Sequence, residues 1–448
     1  MPSRSSVSRR DFISRGVKTA AGVAAVNAVV NRKVLGANDR INIAVVGVHS
    51  RGKNHIEEWL KIPGVEITWL VDPDARLFAE RVKMVKEGQD SAPKTTTDLR
   101  VALEDKNLTA ISTASPDHWH ALQAIWACQA GKHVYAEKPL SHNIWEGRQM
   151  VKAARRYNRV VQCGMQNRSI LGVRKAMEFL RSGGLGEIYM AKGLCFKPRD
   201  SIGVKANAPV PEGLDWDIWL GPAAWRPYNP QFVHYNWHWF WDFGCTDLGN
   251  QGPHQMDIAR WGLNKNVYPV KVKCAGDYFA YKSDQETPNT QMALFEYEDN
   301  KILQFEVRGL YTNAEDGIKI GNLFYGTEGW MHLNGDKWFT YLGRTNEPGP
   351  KYEGAGVEAD PNDLAGAGSS AHFVNFIDAV RAEDYQQLNG DVLEGHRSTA
   401  LCHLANISNR LGRELKFDSH RERFIDDEVA NGYLYRDYRH PYVVPKEV

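Results

Sequence analysis

Glu137 and Lys138 stand side by side ahead of Pro139, at the end of a short apolar run from Lys132 to Ala136. Following Gly131, that run reads as a buried strand, and Pro139 bars Lys138 from most of the helical region, which restricts where its side chain points. The carboxyl end of a parallel strand is where ligands sit in an open α/β sheet. A lysine held there, partly desolvated, loses some of its preference for charge and can exchange a proton with a substrate hydroxyl. Three histidines are further candidates: His234, His238 and His254. The first two share an i, i+4 spacing, but no nearby cysteine or carboxylate cluster completes a ligand set of recognisable spacing, so no metal is expected.

The elements that must position Lys138 begin at Ile41. Residues 41–46 form a nearly continuous apolar run, as expected of a strand covered on both faces. The run enters Gly47-Val48-His49-Ser50-Arg51-Gly52 and then a helical stretch with Ile56, Trp59 and Leu60 on one face. This is G-x-G-x-x-G in strand–turn–helix context, with His49 in place of the second glycine, where backbone normally approaches a pyrophosphate. A side chain there must turn away or contact the cofactor itself. A second strand, 65–71, ends at Asp72, an acid placed to accept NAD ribose hydroxyls and to repel a 2′-phosphate, although NAD usually meets its acid about 20 residues on and here the spacing is longer. Helix 75–86, a loop with Gly88, Asp90 and Pro93, a short helix 99–104 and strand 110–114 follow. Ser115 or Asp117 can cap the next helix, which runs to Cys128, and Gly131 stops it. Helix 144–157 and strand 160–164 complete an unbroken strand–helix alternation, which predicts a doubly wound parallel sheet.

The second half reads as a smaller-element α+β domain. An amphipathic helix 171–181 ends at Gly183-Gly184. Strands are expected at 271–275, 290–297, 302–307 and 318–325, with hairpin signals at Asp299-Asn300 and Gly326, and helices at 371–382 and 392–411. A Gly-rich stretch near 354–368 reads as a surface loop, and the charged, aromatic residues after Asp418 as a tail. Seven of the 14 tryptophans fall between Asp215 and Trp261. Flat aromatic faces suit sugar C–H surfaces, so Trp237 and Trp241, with His238, are expected to meet a substrate.

Composition excludes several classes. At 448 residues, 42% apolar and 24% charged, the chain has the balance of an ordinary globular protein of two or three domains. A net charge of +1 gives no electrostatic reason to expect nucleic acid or acidic membranes. Six cysteines show no C-x-x-C and read as buried apolar residues. Ahead of the fold, Ser8-Arg9-Arg10-Asp11-Phe12-Ile13 and the mild apolar run 17–30 are similar to a Tat export signal, which implies a periplasmic or otherwise exported protein. The expected domains are therefore 1–37 (signal), 38–165 (dinucleotide binding), 166–418 (substrate and oligomerisation) and 419–448 (tail).

Gly47 to Gly52, Asp72, Pro116-x-x-x-His120 and Glu137-Lys138-Pro139 together resemble the Gfo/Idh/MocA oxidoreductase family, and the likeness continues through Gly164-Met165-Gln166-Asn167-Arg168, the helix around His254 and Gly326-Thr327-Glu328-Gly329. The resemblance implies a Rossmann domain and a second α/β domain whose open, mainly antiparallel sheet walls a sugar-sized cleft. It places Gly47, His49, Ser50, Arg51, Gly52 and Asp72, with Ser115, Pro116, His120, Glu137, Lys138 and Gln166, around a tightly bound NAD, NADP being disfavoured by Asp72. It gives Lys138 the task of polarising the reacting hydroxyl, puts Arg168 and His254 with it at the substrate, and matches Asn250-Gln251-Gly252-Pro253-His254 to the family's D-x-G-x-H turn. Asn250 replaces the acid that orients the histidine there. An i, i+4 pair shares a helical face, but an amide cannot stabilise an imidazolium, so His254 is expected to be a weaker base.

The function expected is thus an exported NAD-dependent oxidoreductase on a sugar or sugar derivative, working as a homo-oligomer, dimer or tetramer. Two alternatives are a glycoside hydrolase that uses NAD by transient oxidation and elimination, and a sugar-binding protein that has kept an inactive Rossmann fold.

Overall fold

A computed structural model describes residues 40–354 and 366–448; the expected signal at 1–37 and most of the Gly-rich stretch lie outside the described residues. The alternation read from Ile41 onward folds as a six-stranded parallel sheet. Its strands are β1 (Ile41–Val46), β2 (Val65–Val71), β3 (Lys94–Thr96), β4 (Ala110–Thr113), β5 (His133–Ala136) and β6 (Val161–Cys163). Their order is β3-β2-β1-β4-β5-β6. Between them run α1 (Ser50–Leu60), α2 (Phe78–Gly88), α3 (Leu99–Leu103), α4 (Asp117–Gln129) and α5 (Ile144–Arg156). The chain reverses direction of travel across the sheet between β1 and β4, so a crevice opens at the carboxyl ends of these two strands. Strand β3 was expected to be loop; it pairs with β2 over only three residues.

The second sheet has ten strands in the order β14-β13-β12-β11-β7-β10-β9-β8-β15-β16. Strands β8 (Lys271–Asp277), β9 (Thr290–Glu296), β10 (Ile302–Arg308) and β11 (Ile320–Gly326) lie where sequence placed them. The inner strand β7 (Ile188–Cys195) was not foreseen. It runs parallel to β10 and antiparallel to β11, so the sheet is mixed at its centre. β7 escapes a pattern search because Lys192 and Gly193 interrupt its apolar residues. Beyond β11 a meander of β12 (Gly329–Asn334), β13 (Lys337–Leu342) and β14 (Glu347–Tyr352) extends one edge; β15 (Leu415–Asp418) and β16 (Arg423–Phe424) extend the other. Helices α6 (Leu171–Arg181), α7 (Trp216–Leu220), α8 (Thr246–Asn250), α9 (Gly252–Gly262), α10 (Gly366–Ala382), α11 (Val392–Leu411) and the short α12 (Glu428–Gly432) complete the pattern. Ile258, Phe295, Phe305, Leu401 and Leu404 form the centre of the core between this sheet and its helices.

Two late segments do not respect the expected domain boundaries. Phe373, Phe376, Ile377 and Val380 of α10 share one helical face and bury against Trp59 and Tyr135 of the first domain. The Tyr135 and Phe373 rings stack at 4.5 Å. The tail is no loose appendage either: Tyr442, Val444 and Val448 join the core of the parallel sheet. Phe373 is fully buried, so removing its ring leaves a cavity in this interface. Phe373→Ala should lower unfolding stability by about 3–5 kcal/mol in urea titration; a loss under about 1 kcal/mol would mean that α10 does not carry this interface.

Candidate active site

The turn after β1 is built by its first and last glycines. Gly47 has φ +77°, and a Cβ there would meet the Ser115 nitrogen at 2.8 Å. At Gly52 a Cβ would lie 1.7 Å from the Gly47 carbonyl oxygen. His49 sits at φ −72°, outside the left-handed region that favours glycine. Its ring turns aside and stacks on His234 from the second domain, with centroids 4.3 Å apart. Helix α1 then starts with no acid in its first turn and no capping side chain, leaving the positive end of its dipole toward the cleft. Asp72 steadies the turn, accepting the Val48 N–H at 2.8 Å and the Asp74 N–H at 2.9 Å. Burial raises its pKa to about 6 against those two donors. Each carboxylate oxygen keeps a second lone-pair site for a hydroxyl.

At the end of β5, Glu137 is almost fully enclosed. It accepts from Arg51 Nε at 2.8 Å and Gln166 Nε2 at 3.0 Å, and His55 Nε2 lies 3.1 Å away. Burial opposes its charge, but Arg51 and His55 hold the carboxyl well below its ordinary range. The His120 ring lies between two carbonyls, 2.8 Å from that of Ser115 and 2.7 Å from that of Pro139, and so fastens the ends of β4 and β5 together. Lys138 leaves this anchored end and donates from Nζ to the Asn250 carbonyl at 2.7 Å, with the Asn250 side-chain oxygen 3.4 Å away. Burial lowers the Lys138 pKa, while Glu137 and Asp117 pull it back up.

Gly47, His49, Arg51, Gly52, Asp72, His120, Glu137, Lys138 and Gln166 line one cleft of about 320 Å³, the size of a small-molecule site, with Ser50, Pro116, Trp237, His238 and His254. Trp237 and His238 stack at 3.6 Å in its wall. The structure corrects three expectations. Asn250 does not orient His254: its amide donates to Asp247 Oδ1 at 3.2 Å, and Asp247 is ion-paired with Arg199 at 2.8 Å. The buried His254 Nδ1 has no partner among the described residues, and burial with the nearby Lys138 charge lowers the ring to about 3. Arg168 lies outside the cleft, bound to Asp257 at 2.6 Å and Glu394 at 3.1 Å. Trp241 also lies outside it, because its indole N–H donates to the Glu286 carbonyl at 3.1 Å and its ring carries Arg410.

Sequence reasoning missed Asp117. The N-cap of α4 is Pro116, and Asp117 makes no cap. Its carboxyl is buried at the cleft near Lys138 and Cys245, with Oδ2 unpartnered among the described residues, and burial raises its pKa to about 8 against the pull of Lys138. An acid placed directly after a parallel strand, at a helix start, was the only signal available. Lys197 and Tyr235 are further cleft residues that sequence did not assign, and His234, a candidate by its spacing alone, lines the cleft with them.

The fit to a dinucleotide rests on the Gly47 and Gly52 close approaches, the uncapped start of α1 and the acid at the end of β2. Comparison with known proteins agrees with that geometry. A family model described as an oxidoreductase family with a NAD-binding Rossmann fold matches residues 41–165, and one for an oxidoreductase C-terminal alpha/beta domain matches 199–307 and 365–444. The chain is 23% identical to inositol 2-dehydrogenase 3 of Saccharopolyspora erythraea, over 81% of this chain and 91% of that protein. It is 28% identical to a glycosyl hydrolase family 109 protein of Shewanella pealeana, but over only 38% of this chain and 37% of that protein. The fold is similar to that of the WlbA dehydrogenase from Bordetella pertussis, solved with NADH and UDP-GlcNAcA, at a TM-score of 0.62 and 20% identity, covering 85% of this chain and 99% of that one.

Burial also sets how the molecule answers to acid. His118, His238 and His254 are lowered to about 3, and His133, His234, His372 and His403 to about 4, in each case chiefly by burial. Their stabilisation is complete above the ordinary histidine pKa of about 6.5 and is lost as pH falls toward the folded values. Asp117 and Asp72, raised to about 8 and about 6, act in the opposite sense over the same window but are outnumbered. The urea midpoint should therefore be lower at pH 5.5 than at pH 7.5; an equal or higher midpoint would contradict neutral burial of these imidazoles.

Proposed function

Because this chain belongs to the Gfo/Idh/MocA family of NAD-binding oxidoreductases, we propose that it exchanges hydride between a nicotinamide dinucleotide and a carbon bearing a hydroxyl on a sugar or sugar derivative. The observation that carries the reading is Lys138 Nζ, brought into the cleft from the carboxyl edge of the parallel sheet and held by the Asn250 carbonyl. In this reading Gly47, Ser50, Arg51 and Gly52 hold the diphosphate, and Asp72 the adenosine ribose, in preference to a 2′-phosphate. Ser115, Pro116, His120, Glu137 and Gln166 shape the rest of the dinucleotide site. Bound there, the dinucleotide supplies a hydride acceptor or donor.

The chain's own residues handle the proton. As an amine, Lys138 Nζ takes the proton of the reacting hydroxyl; as an ammonium, it donates a hydrogen bond to the carbonyl in the reverse direction. His254, lowered by burial and so neutral at working pH, lines the cleft with Lys138 and is placed to hydrogen-bond a substrate hydroxyl. Asp117, its pKa raised by burial, shares the cleft with Lys138 and acts on it through charge. Trp237 and His238 give a flat wall for the sugar's C–H surface. Relatives named as inositol dehydrogenase and the WlbA complex with a nucleotide sugar support a polyhydroxylated ring as the substrate class.

A second reading is glycoside hydrolysis, in which transient oxidation acidifies the neighbouring C–H, the aglycone leaves, water adds and the dinucleotide returns to its starting state. The similarity to a family 109 glycosyl hydrolase favours it. Export through a Tat-type signal is part of the proposal and rests on Arg9-Arg10 and the apolar run after them. So is self-association, supported by Met292 and Leu294, half-exposed on β9 of the open sheet.

Incubation with a panel of sugars and aryl glycosides separates the readings: reduced dinucleotide accumulates in the first, and aryl group is released without it in the second. Lys138→Met should lower turnover by about 10²–10⁴ while dinucleotide still binds. Unchanged turnover would remove Lys138 from the mechanism.

A further inference from the structure

The segment from Gly213 to His238 belongs in sequence to the second domain, yet it is fastened to the first on both sides of the crevice. On one side it meets the end of β2. Ala75 N–H donates to the Gly213 carbonyl at 2.8 Å, and Asp215 N–H to the Pro73 carbonyl at 2.8 Å, with Leu214 bridged to Asp74. On the other it meets the start of α4. The Trp119 indole N–H donates to the Ile218 and Trp219 carbonyls, both at 3.1 Å, and His118 Nε2 lies 3.0 Å from the latter. Strands β2 and β4 flank β1, so a chain tied to both must cross the carboxyl edge of the sheet above the glycine turn. The segment is stiff in its own right: Trp216, Trp219, Phe232, Phe240 and Phe243 pack as a separate aromatic core.

Its far end closes the same gap a second time. The His234 ring lies parallel to that of His49, at 9° and 4.3 Å, and its Nε2 is 2.9 Å from Asp74 Oδ2. His49 occupies the position where a dinucleotide fold normally has glycine, and His234 is what its ring turns toward. Burial lowers both imidazoles, so they stack without mutual charge repulsion. Asp74 is itself fixed by Arg76 at 2.6 Å and by its N–H to Asp72. Pro73, Ile218, Trp219 and His234 all line the cleft with Asp72 and His49.

We propose that residues 213–238 are a strap over the adenosine diphosphate half of the dinucleotide site, with His234 as its latch on His49 and Asp74. The inference rests on the dinucleotide reading above and deepens it. A dinucleotide lying between the end of β2 and the glycine turn is enclosed by the strap, and it leaves only when the His234 contacts break. The nucleotide is then retained from one turnover to the next, as a redox-neutral cycle or a second substrate that restores it in place would require.

The test is the release rate of NADH from the full chain. NADH-loaded protein is mixed with a large excess of NAD⁺, and loss of energy transfer from tryptophan to bound NADH is followed in time. His234→Ala should release NADH at least tenfold faster than the unaltered protein. His234→Phe, which keeps a flat ring against His49 but loses the bond to Asp74, should fall between and guards against a misfolded alanine variant. Release within twofold of the unaltered protein in both variants overturns the strap and leaves the dinucleotide reading standing. Failure of the unaltered protein to bind NADH or NAD⁺ at all overturns that reading, and the strap with it.

Discussion

The buried charge of Glu137 is the constraint around which the site is arranged. A carboxylate so enclosed is costly unless each oxygen is met by donors, and this one recruits them from three elements: Arg51 and His55 of α1, Gln166 after β6, and the Lys138 N–H at 3.1 Å. Gly164 is compelled by the same group, since a Cβ there would sit 3.0 Å from the carboxyl. The glycine turn, the end of β5 and the exit from β6 are thereby locked to one another. Lys138 points where it does because the residue before it cannot move.

From that anchor the lysine reaches across to the second domain, and the contact made there differs from what the sequence motif leads one to expect. Asn250 stands at the place of an acid, but it ends α8 while His254 lies in the next helix, α9, so the two do not share the helical face expected of an i, i+4 pair. The Asn250 amide faces Asp247 instead, because Asp247 is held by Arg199 and presents an acceptor. A carboxylate at 250 would meet Asp247 as a like charge at hydrogen-bond distance. Asparagine therefore lets the Asp247–Arg199 pair stand behind the lysine.

Much of this was legible in the amino-acid sequence, and the limits have physical reasons. The continuous apolar run of β1, the glycines at 47 and 52 and the acid ending β2 are local signals, and local signals define local structure. Which surface an amphipathic helix meets is not local: the Phe373–Val380 face announces burial but not that Trp59 and Tyr135 are its partners. Arg168 looks like a ligand-binding arginine until its acids, Asp257 and Glu394, are seen closing around it from 89 and 226 residues away. Asp117 was read as a helix cap, since sequence cannot tell a carboxyl that turns to the backbone from one that turns into a cleft. His234 drew notice only as half of an i, i+4 pair. Its real neighbours, His49 and Asp74, come from the other domain.

The central claim is that Lys138 Nζ meets the reacting oxygen of the substrate beside the nicotinamide ring. A crystal structure of the protein with a dinucleotide and a bound sugar measures that directly. The account predicts a substrate oxygen about 3 Å from Lys138 Nζ, in hydrogen-bond reach, with the nicotinamide ring against the same sugar carbon. A nicotinamide ring seated elsewhere, or a sugar with no oxygen within reach of that amine, would contradict it.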